Sequence, residues 1–409
     1  MKKIVIIGGG FAGVYATKHL LKRLRKEDVE IIMISEQNFF LFTPMLHEVA
    51  TGGISKENII QPLKRIFRSK QFSLMKAKAL SVNTREKIVN TTLGNVSYDL
   101  LVLATGSKIN FHNVKGAAEY SLPLRTLHDA FAIKNRIIRQ IELAEETKDE
   151  TQRKKLLSFA IVGGGPTGVE LAGELAEFLK IMLCSHYKRV KHEEINIILL
   201  HRGQEILNML QYYYQKRCRK RLGELGIEVQ TSTGIIEVGK EYVIDDKHQR
   251  RDFGTIFWTA GFASQTIPLN GKEMPCYKIN PFFEVEHPKA VYAVGDCACL
   301  EIDGQRIPML AQLAVQQSEV LAHNVAYALG FEDKPKMYKY KLTGFLLSVG
   351  QYFGVAGIKK VYFSGFFAWW LWRTIYLSKL LGFGNKLRVA IDWTLNFFYP
   401  RDTSEVEFS

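Results

Sequence analysis

The chain has 409 residues, of which 47% are hydrophobic and 23% charged. That is the make-up of an ordinary folded protein, too long for one core, so two or three domains are expected. With 55 Lys+Arg against 41 Asp+Glu the net charge is +14, which favours anionic partners such as nucleotides or lipid heads, while no motif points to nucleic acid. The five cysteines (Cys184, Cys218, Cys276, Cys297, Cys299) show no CxxC pair and no metal-type spacing, so reduced thiols, a cytosol-facing chain and no metal site are expected. The first apolar run is too short for a signal peptide.

The chain opens with the β-branched run Lys2 to Ile7, a strand, followed by Gly8-Gly9-Gly10-Phe11-Ala12-Gly13 and an amphipathic stretch (Val14, Ala16, Leu20, Leu21, Leu24) that reads as a helix. In this order the glycines have separate tasks. Gly8 allows a tight turn, Gly10 lets backbone approach a pyrophosphate at the helix N-terminus, and Gly13 lets helix and strand pack closely. A second apolar run, Val29 to Ile34, ends at Ser35-Glu36, where a carboxylate can accept from a ribose hydroxyl. The order predicts a dinucleotide site; the alternative is a glycine-rich turn closing a plain βαβ unit.

Phe39 to Gly53 reads as an aromatic and apolar loop, Ile59 to Phe67 as a basic helix, and Ser73 to Asn90 as an antiparallel β inset. Tyr98 to Leu103 is a buried strand running into Ala104-Thr105-Gly106. A second strand, Ser158 to Val162, then meets Gly163-Gly164-Gly165-Pro166-Thr167-Gly168 and another helix. The interval from Gly8 to Gly163 equals that from Gly106 to Gly261, where Thr259-Ala260-Gly261 echoes the earlier turn. Two folds of matched length imply an internal duplication. In the second copy the strand Ile195 to Leu200 ends in His201-Arg202, with no acid. Finally Ala290 to Val294 is a strand that delivers Gly295-Asp296 to a ligand-facing strand end, with a helix N-cap or a turn former as the plain alternatives for Asp296.

These motifs together resemble the two-dinucleotide flavoproteins. The segments Phe42-Thr43-Pro44-Met45-Leu46-His47-Glu48-Val49-Ala50-Thr51-Gly52, Gly165 to Glu170 and Pro308 to Gln317, with the aromatic C-terminal run, resemble more narrowly the single-subunit, non-proton-pumping type II NADH:quinone oxidoreductases. The resemblance implies an α/β fold with two Rossmann-like domains, an FAD domain holding an inserted NAD(P)H domain, and a C-terminal helical membrane-associating segment. The boundaries expected are 1–112 and 266–335 for FAD, 113–265 for the nucleotide, and 336–409 for the membrane and quinone side. It implies that Gly8, Gly10, Phe11, Ala12, Gly13, Glu36, Pro44, Thr105, Gly106, Asp296, Ala311 and Gln312 serve FAD. Gly163, Gly165, Pro166, Thr167, Gly168, Glu170, Arg202 and Gly261 would serve NAD(P)H. Glu170 would lie near the nicotinamide and the flavin's reactive edge, with complementing a helix dipole on the first turn as its plain alternative. Gln312 would meet the quinone, or be a satisfied core amide. Arg202 can meet a 2′-phosphate, so NADPH is expected to be accepted alongside NADH, with a plain surface cation as its alternative.

From Leu342 the composition turns aromatic and apolar, with Arg373 and Lys379 interrupting any 20-residue apolar span. This suits a monotopic seat on an anionic membrane, on the cytoplasmic side of the inner (cell) membrane, or else a helix pair packed on the core or at a homodimer interface. Lys379 is a quinone-side candidate or a snorkelling lysine. The expected reaction is hydride transfer from NAD(P)H to FAD and two-electron reduction of a membrane quinone, ubiquinone or menaquinone, without proton pumping. Disulfide reductases need a cysteine pair that the 39–53 segment lacks. A sulfide:quinone reductase relative and a flavin-bound redox sensor like apoptosis-inducing factor are the alternatives.

Overall fold

The computed structural model describes residues 1–405 except 26, 303, 343, 359, 360, 397 and 400, and for 184–186 the backbone only. The chain divides into two compact units: Met1–Leu41, Ile60–Lys108 and Phe262–Leu342 form one, and Phe42–Ile59, Ile109–Gly261 and Thr343–Ser409 the other.

The first unit is built on a five-stranded sheet. Strand Lys2–Ile7 lies between Val29–Ser35 and Leu100–Leu103, with Phe72–Lys76 and Val291–Ala293 at the two edges, and every pairing is parallel. Both faces are covered, which is why these strands read as continuous apolar runs. The second unit repeats the order: Ser158–Val162 lies between Asn196–Leu200 and Thr255–Trp258, with Ile227–Gln230 and Leu122–Pro123 outermost, again all parallel. The repetition extends to the insets. Ala79–Asn83, Ile88–Thr91 and Gly94–Ser97 form a three-stranded antiparallel sheet, and Ile235–Gly239, Tyr242–Asp245 and Arg250–Asp252 form another. Both carry their register shift at the same place, between Ala79 and Ser81 and between Ile235 and Glu237. A shared irregularity of this kind is the mark of a copied unit rather than of two folds that converged.

Four local expectations change. Residues 59–67 are not one helix: Ile60–Pro62 is a strand paired antiparallel with Phe39–Leu41, and helix covers only Leu63–Ile66. Pro62 fits an edge strand and cannot sit inside a helix. The 39–53 segment carries a short helix, Leu46–Val49. Phe72–Lys76 belongs to the parallel sheet rather than to the antiparallel inset. The C-terminal region begins as a three-stranded antiparallel sheet, Gly344–Ser348, Gly354–Ile358 and Val361–Gly365, before its two helices Phe366–Lys379 and Phe383–Leu395. Aromatic and apolar residues without a clear period suit either state, and here pairing decides.

Cysteine chemistry also departs from expectation. Cys276 and Cys299 are joined in a disulfide, because the parallel pairing of Tyr277–Lys278 with Ala298–Cys299 brings their Cα atoms to 5.8 Å. Cys218 and Cys297 are buried free thiols, while the side chain of Cys184 lies outside the described residues. The bridge spans a sequence separation of 23 residues. Cys299→Ser should therefore lower stability by roughly 2–4 kcal/mol in denaturant unfolding without reductant. Added reductant should lower the parent by a similar amount and leave the variant unchanged.

Candidate active site

In the first unit the glycine turn leads from strand Lys2–Ile7 into helix Phe11–Arg23, with Gly10 as its N-cap. Gly8 has φ +116°, and a Cβ built on it would meet the Ala104 carbonyl oxygen at 2.1 Å. A Cβ on Gly13 would meet the Gly8 carbonyl oxygen at 2.0 Å, whereas one on Gly10 has no heavy atom within 4 Å. The outer glycines are thus demanded by packing and the middle one leaves open floor at a helix N-terminus. Backbone N–H groups and the helix dipole favour phosphate there.

The second unit repeats this arrangement. Gly163 has φ +117° and its Cβ would meet the Thr259 carbonyl at 2.6 Å; that of Gly168 would meet the Gly163 oxygen at 1.9 Å, and that of Gly165 nothing. Gly165 caps helix Pro166–His186, with Pro166 and Thr167 as its first two residues. Both turns therefore fit a dinucleotide by their own geometry.

The strand ends extend each site. In the first unit Ser107 Oγ donates to the Asp296 carboxylate at 2.8 Å, Ser264 Oγ donates to the Asp296 carbonyl at 2.7 Å, and the Gly295 amide donates to Gln317 Oε1 at 3.0 Å. Asp296 is thus fixed just beyond strand Val291–Ala293 inside a short 3-10 turn whose N-cap is Val294, so of its plain alternatives the structure keeps the turn residue and not the helix cap. Thr105 Oγ donates to the Gln265 carbonyl, and Gly106 has φ +75°. The Phe11 ring meets Phe40 edge-on at 4.9 Å, and buried Ala12 lies against Gly295, with its carbonyl accepting from Ser318. Ala311 and Gln312 open helix Ala311–Ala328 and are half-buried. Ser35 lies against Gly9, and Glu36 is exposed one residue further on.

In the second unit the place of Ser35 is taken by His201, whose Nδ1 accepts from the Gly164 amide at 3.1 Å. Burial lowers its pKa. Arg202 takes the place of Glu36 and is exposed, and Gly261 has φ +136°. Pro44 sits at the start of the 3-10 turn Thr43–Met45. Lys379 ends helix Phe366–Lys379, is exposed, and holds its ammonium 6.0 Å from the Tyr376 ring centroid.

Glu170 stands on the second turn of helix Pro166–His186, whose first turn carries no acid, so complementing the helix dipole does not explain it. Its carboxylate accepts from the Ser348 amide at 3.4 Å and lies 3.9 Å from His47 Nδ1. One turn on, Glu174 accepts from the Arg401 guanidinium at 2.7 Å, which also donates to Thr51 Oγ at 3.2 Å. Glu48 accepts from Trp393 Nε1 at 2.7 Å. His47, Glu48, Glu174 and Arg401 are each at most 6% exposed. Of this cluster the sequence singled out only Glu170. Glu48 lying within an apolar run, and Glu170 and Glu174 one helical turn apart, were the available signals.

Burial dominates the titration of the cluster. It raises Glu48 to about 7, opposed by Arg373, and Glu170 to about 8, opposed by the Ser348 amide and reinforced by the charge of Glu48. Burial would also raise Glu174, but the Arg401 guanidinium bonded to it holds it below the usual carboxylate value. Burial lowers His47 to about 4.

Paired nucleotide cradles, each with a phosphate turn, an inset sheet and a polar strand end, define a two-dinucleotide oxidoreductase. Residues 2–318 match the pyridine nucleotide-disulphide oxidoreductase model and residues 343–402 the NDH2 C-terminal domain. A probable NADH dehydrogenase of Dictyostelium discoideum is 31% identical, over 98% of this chain and 91% of that protein. The type II NADH:quinone oxidoreductase Ndh of Mycobacterium tuberculosis is 28% identical, over 98% and 89%. The fold superposes on NDH2 from Plasmodium falciparum in complex with NADH with a TM-score of 0.89 at 20% identity, covering 98% of this chain and 99% of that one. The chain belongs to the pyridine nucleotide-disulphide oxidoreductase family and, within it, to the type II NADH dehydrogenases.

Two stability measurements test the cluster. Arg401→Gln leaves Glu174 as a buried charge without its partner and should cost roughly 3–5 kcal/mol in thermal or denaturant unfolding. The pH dependence has a definite sign. Glu48 and Glu170 keep protons in the folded chain up to about 7 and 8 against an ordinary value of 4.5, so their contribution is full below that value and is lost as pH rises through 7 to 8. His47 acts oppositely: its contribution is present above 6.5 and lost as pH falls toward 4. Above pH 6.5 only the carboxyls act, so the melting temperature should fall between pH 6.5 and 8.

Proposed function

We propose that the protein is an FAD-dependent NADH:quinone oxidoreductase that passes two electrons from a nicotinamide nucleotide to a membrane quinone and pumps no protons. The observation that supports this most is the duplicated cradle: one copy for a resident nucleotide cofactor, the other for an exchanging donor. FAD, when bound, supplies the two-electron redox chemistry that accepts hydride and reduces the quinone.

The chain's own residues bind, orient and provide protons. In the FAD cradle Gly8, Gly10 and Gly13 with Phe11 and Ala12 receive the pyrophosphate, Glu36 accepts from the adenine ribose, and Asp296, Thr105 and Gly106 meet the remainder of the cofactor. Ala311, Gln312 and Pro44 are assigned to the flavin's quinone side. The Gln312 amide can donate a hydrogen bond to a quinone oxygen but has no proton to give up. Glu170 can give one, since its carboxyl stays protonated to about 8. Lys379, with its cation near the end of an aromatic helix, is assigned to the quinone entry.

For the donor, Gly163, Gly165, Pro166, Thr167, Gly168 and Gly261 frame the phosphates and nicotinamide. Arg202 stands at the strand end where the first copy has Glu36, so a 2′-phosphate meets a cation there and a 2′-hydroxyl finds no carboxylate. NADPH is therefore accepted as well as NADH. The helices Phe366–Lys379 and Phe383–Leu395 expose Phe367, Trp370, Phe383, Leu387 and Ile391. No helix among the described residues is long and apolar enough to cross a membrane. An exposed aromatic face of this kind, in a chain of net charge +14, supports a monotopic seat on an anionic membrane; the cytoplasmic side of the inner (cell) membrane is the side we assign to it.

Rapid-mixing kinetics test the site assignments. Gln312→Ala should slow quinone reduction at least ~10-fold, about 1.4 kcal/mol, while flavin reduction by NADH keeps its rate; equal loss in both half-reactions contradicts the placement. The ratio of kcat/KM for NADH over NADPH should stay under roughly a hundred, near 3 kcal/mol of discrimination, and Arg202→Glu should raise it.

A further inference from the structure

One polar side chain of the donor cradle has no role in the reaction as described. In the first copy Ser35 stands against Gly9; in the second, His201 takes that place and reaches into the glycine turn. Its backbone is fixed to the neighbouring strand, the His201 N–H donating to the Gln230 carbonyl at 2.8 Å and its carbonyl accepting from the Thr233 amide at 2.9 Å. The imidazole then lies between two glycines. A Cβ on Gly164 would meet His201 Cγ at 2.9 Å, and one on Gly203 would meet Nε2 at 2.8 Å.

The two peptides that flank Gly164 are pinned. In the 163–164 peptide, the Gly164 N–H donates to His201 Nδ1 at 3.1 Å, and the Gly163 carbonyl has Thr259 Oγ at 3.0 Å, a donor it shares with the Val162 carbonyl. Burial lowers the pKa of His201, which keeps Nδ1 unprotonated and able to accept. In the 164–165 peptide, the Gly164 carbonyl accepts from the Leu207 amide at 2.8 Å. A trans peptide points its N–H opposite to its C=O. Holding the Gly164 carbonyl toward Leu207 therefore turns the Gly165 N–H away from the 201–207 loop, and the space over Gly165 is open. Pro166 has no N–H, so the Gly165 amide is the last donor before the helix amides begin.

We infer that His201 is a positioning residue for the donor's pyrophosphate: by anchoring the Gly164 amide it holds the glycine turn so that the Gly165 amide faces the phosphates. The inference rests on the reading of the second cradle as the nicotinamide-nucleotide site. A turn fixed in advance need not be ordered when the ligand arrives, and that saving appears as affinity. A ring turned inward onto Gly164 is not free to read the adenine ribose. Its effect thus falls on the pyrophosphate that NADH and NADPH share, while Arg202 acts at the ribose where they differ.

The test uses the FAD-loaded full chain and calorimetry with ADP-ribose, which carries the donor's adenosine and pyrophosphate without its nicotinamide, and with the 2′-phosphate form of ADP-ribose. His201→Leu keeps the bulk and removes the acceptor. It should raise Kd about 10-fold or more, the weight of one amide bond to a charged group, and by the same factor for both ligands. It should also raise KM for NADH more than it lowers the limiting rate of flavin reduction. His201→Asn sets a carbonyl oxygen as many bonds from Cα as Nδ1 and should restore most of the affinity. Gly164→Ala, which displaces the ring, should weaken binding as His201→Leu does. Parent-like Kd values in His201→Leu, a loss that His201→Asn fails to repair, or unequal factors for the two ligands overturn the inference. Should His201→Leu fail to fold, as thermal unfolding reports, parent-like binding by Gly164→Ala overturns it instead. A parent that binds neither ADP-ribose nor NADH defeats the reading of the cradle and the inference with it; one that binds both but reduces no quinone defeats the quinone reading alone.

Discussion

An approach of backbone to backbone too close for any side chain governs both halves of this chain. A methyl group at Gly8 would stand 2.1 Å from the Ala104 oxygen, and one at Gly168 would stand 1.9 Å from that of Gly163. Such contacts hold the first strand, the turn and the following helix together, so that the helix N-terminus emerges at the point where strand order reverses. In open parallel sheets that point is where ligands bind. The open floor over Gly10 and Gly165 then follows from the same constraint. The placement of Asp296, and of His201 and Arg202, follows from strand register, because each lies at the carboxyl end of a strand in one of the two five-stranded sheets.

The second unit adds what a bare nucleotide fold lacks. Its glycine-turn helix carries Glu170 and Glu174 inward, and segments distant in sequence meet them: His47 from the apolar 39–53 stretch, Ser348 from the C-terminal sheet and Arg401 from the tail, while Trp393 of the last helix meets Glu48. Buried polar groups persist only when paired. Here the Arg401 guanidinium and the Trp393 indole satisfy part of the demand.

Much of this was legible in the sequence. Ile4–Ile7, Phe159–Val162 and Leu100–Leu103 are unbroken apolar runs because both faces of their sheets are covered, the antiparallel inset packing in the same core, and a glycine signature at a repeated interval exposed the duplication. Elements whose state is decided by pairing across long separations leave no such local pattern. Pro62 joined a strand because Phe39–Leu41 lay beside it, and the aromatic C-terminal run split into a sheet and helices without a period that separates them. Cys276 met Cys299 only through the pairing of two-residue strands. The buried cluster was hidden for the same reason: Glu48 finds Trp393, and Glu174 finds Arg401, across more than half the chain. Local pattern carries no record of such contacts.

In the proposed function one cradle keeps a flavin while the other exchanges a nicotinamide donor for the benefit of a quinone. An anaerobic titration followed by absorbance tests it most directly. Purified protein should show close to one FAD per chain, bleach on addition of one equivalent of NADH, and recover its colour when a soluble quinone is added. Folded protein that is colourless and does not take up added FAD, or bound flavin that NADH fails to bleach, would contradict the account.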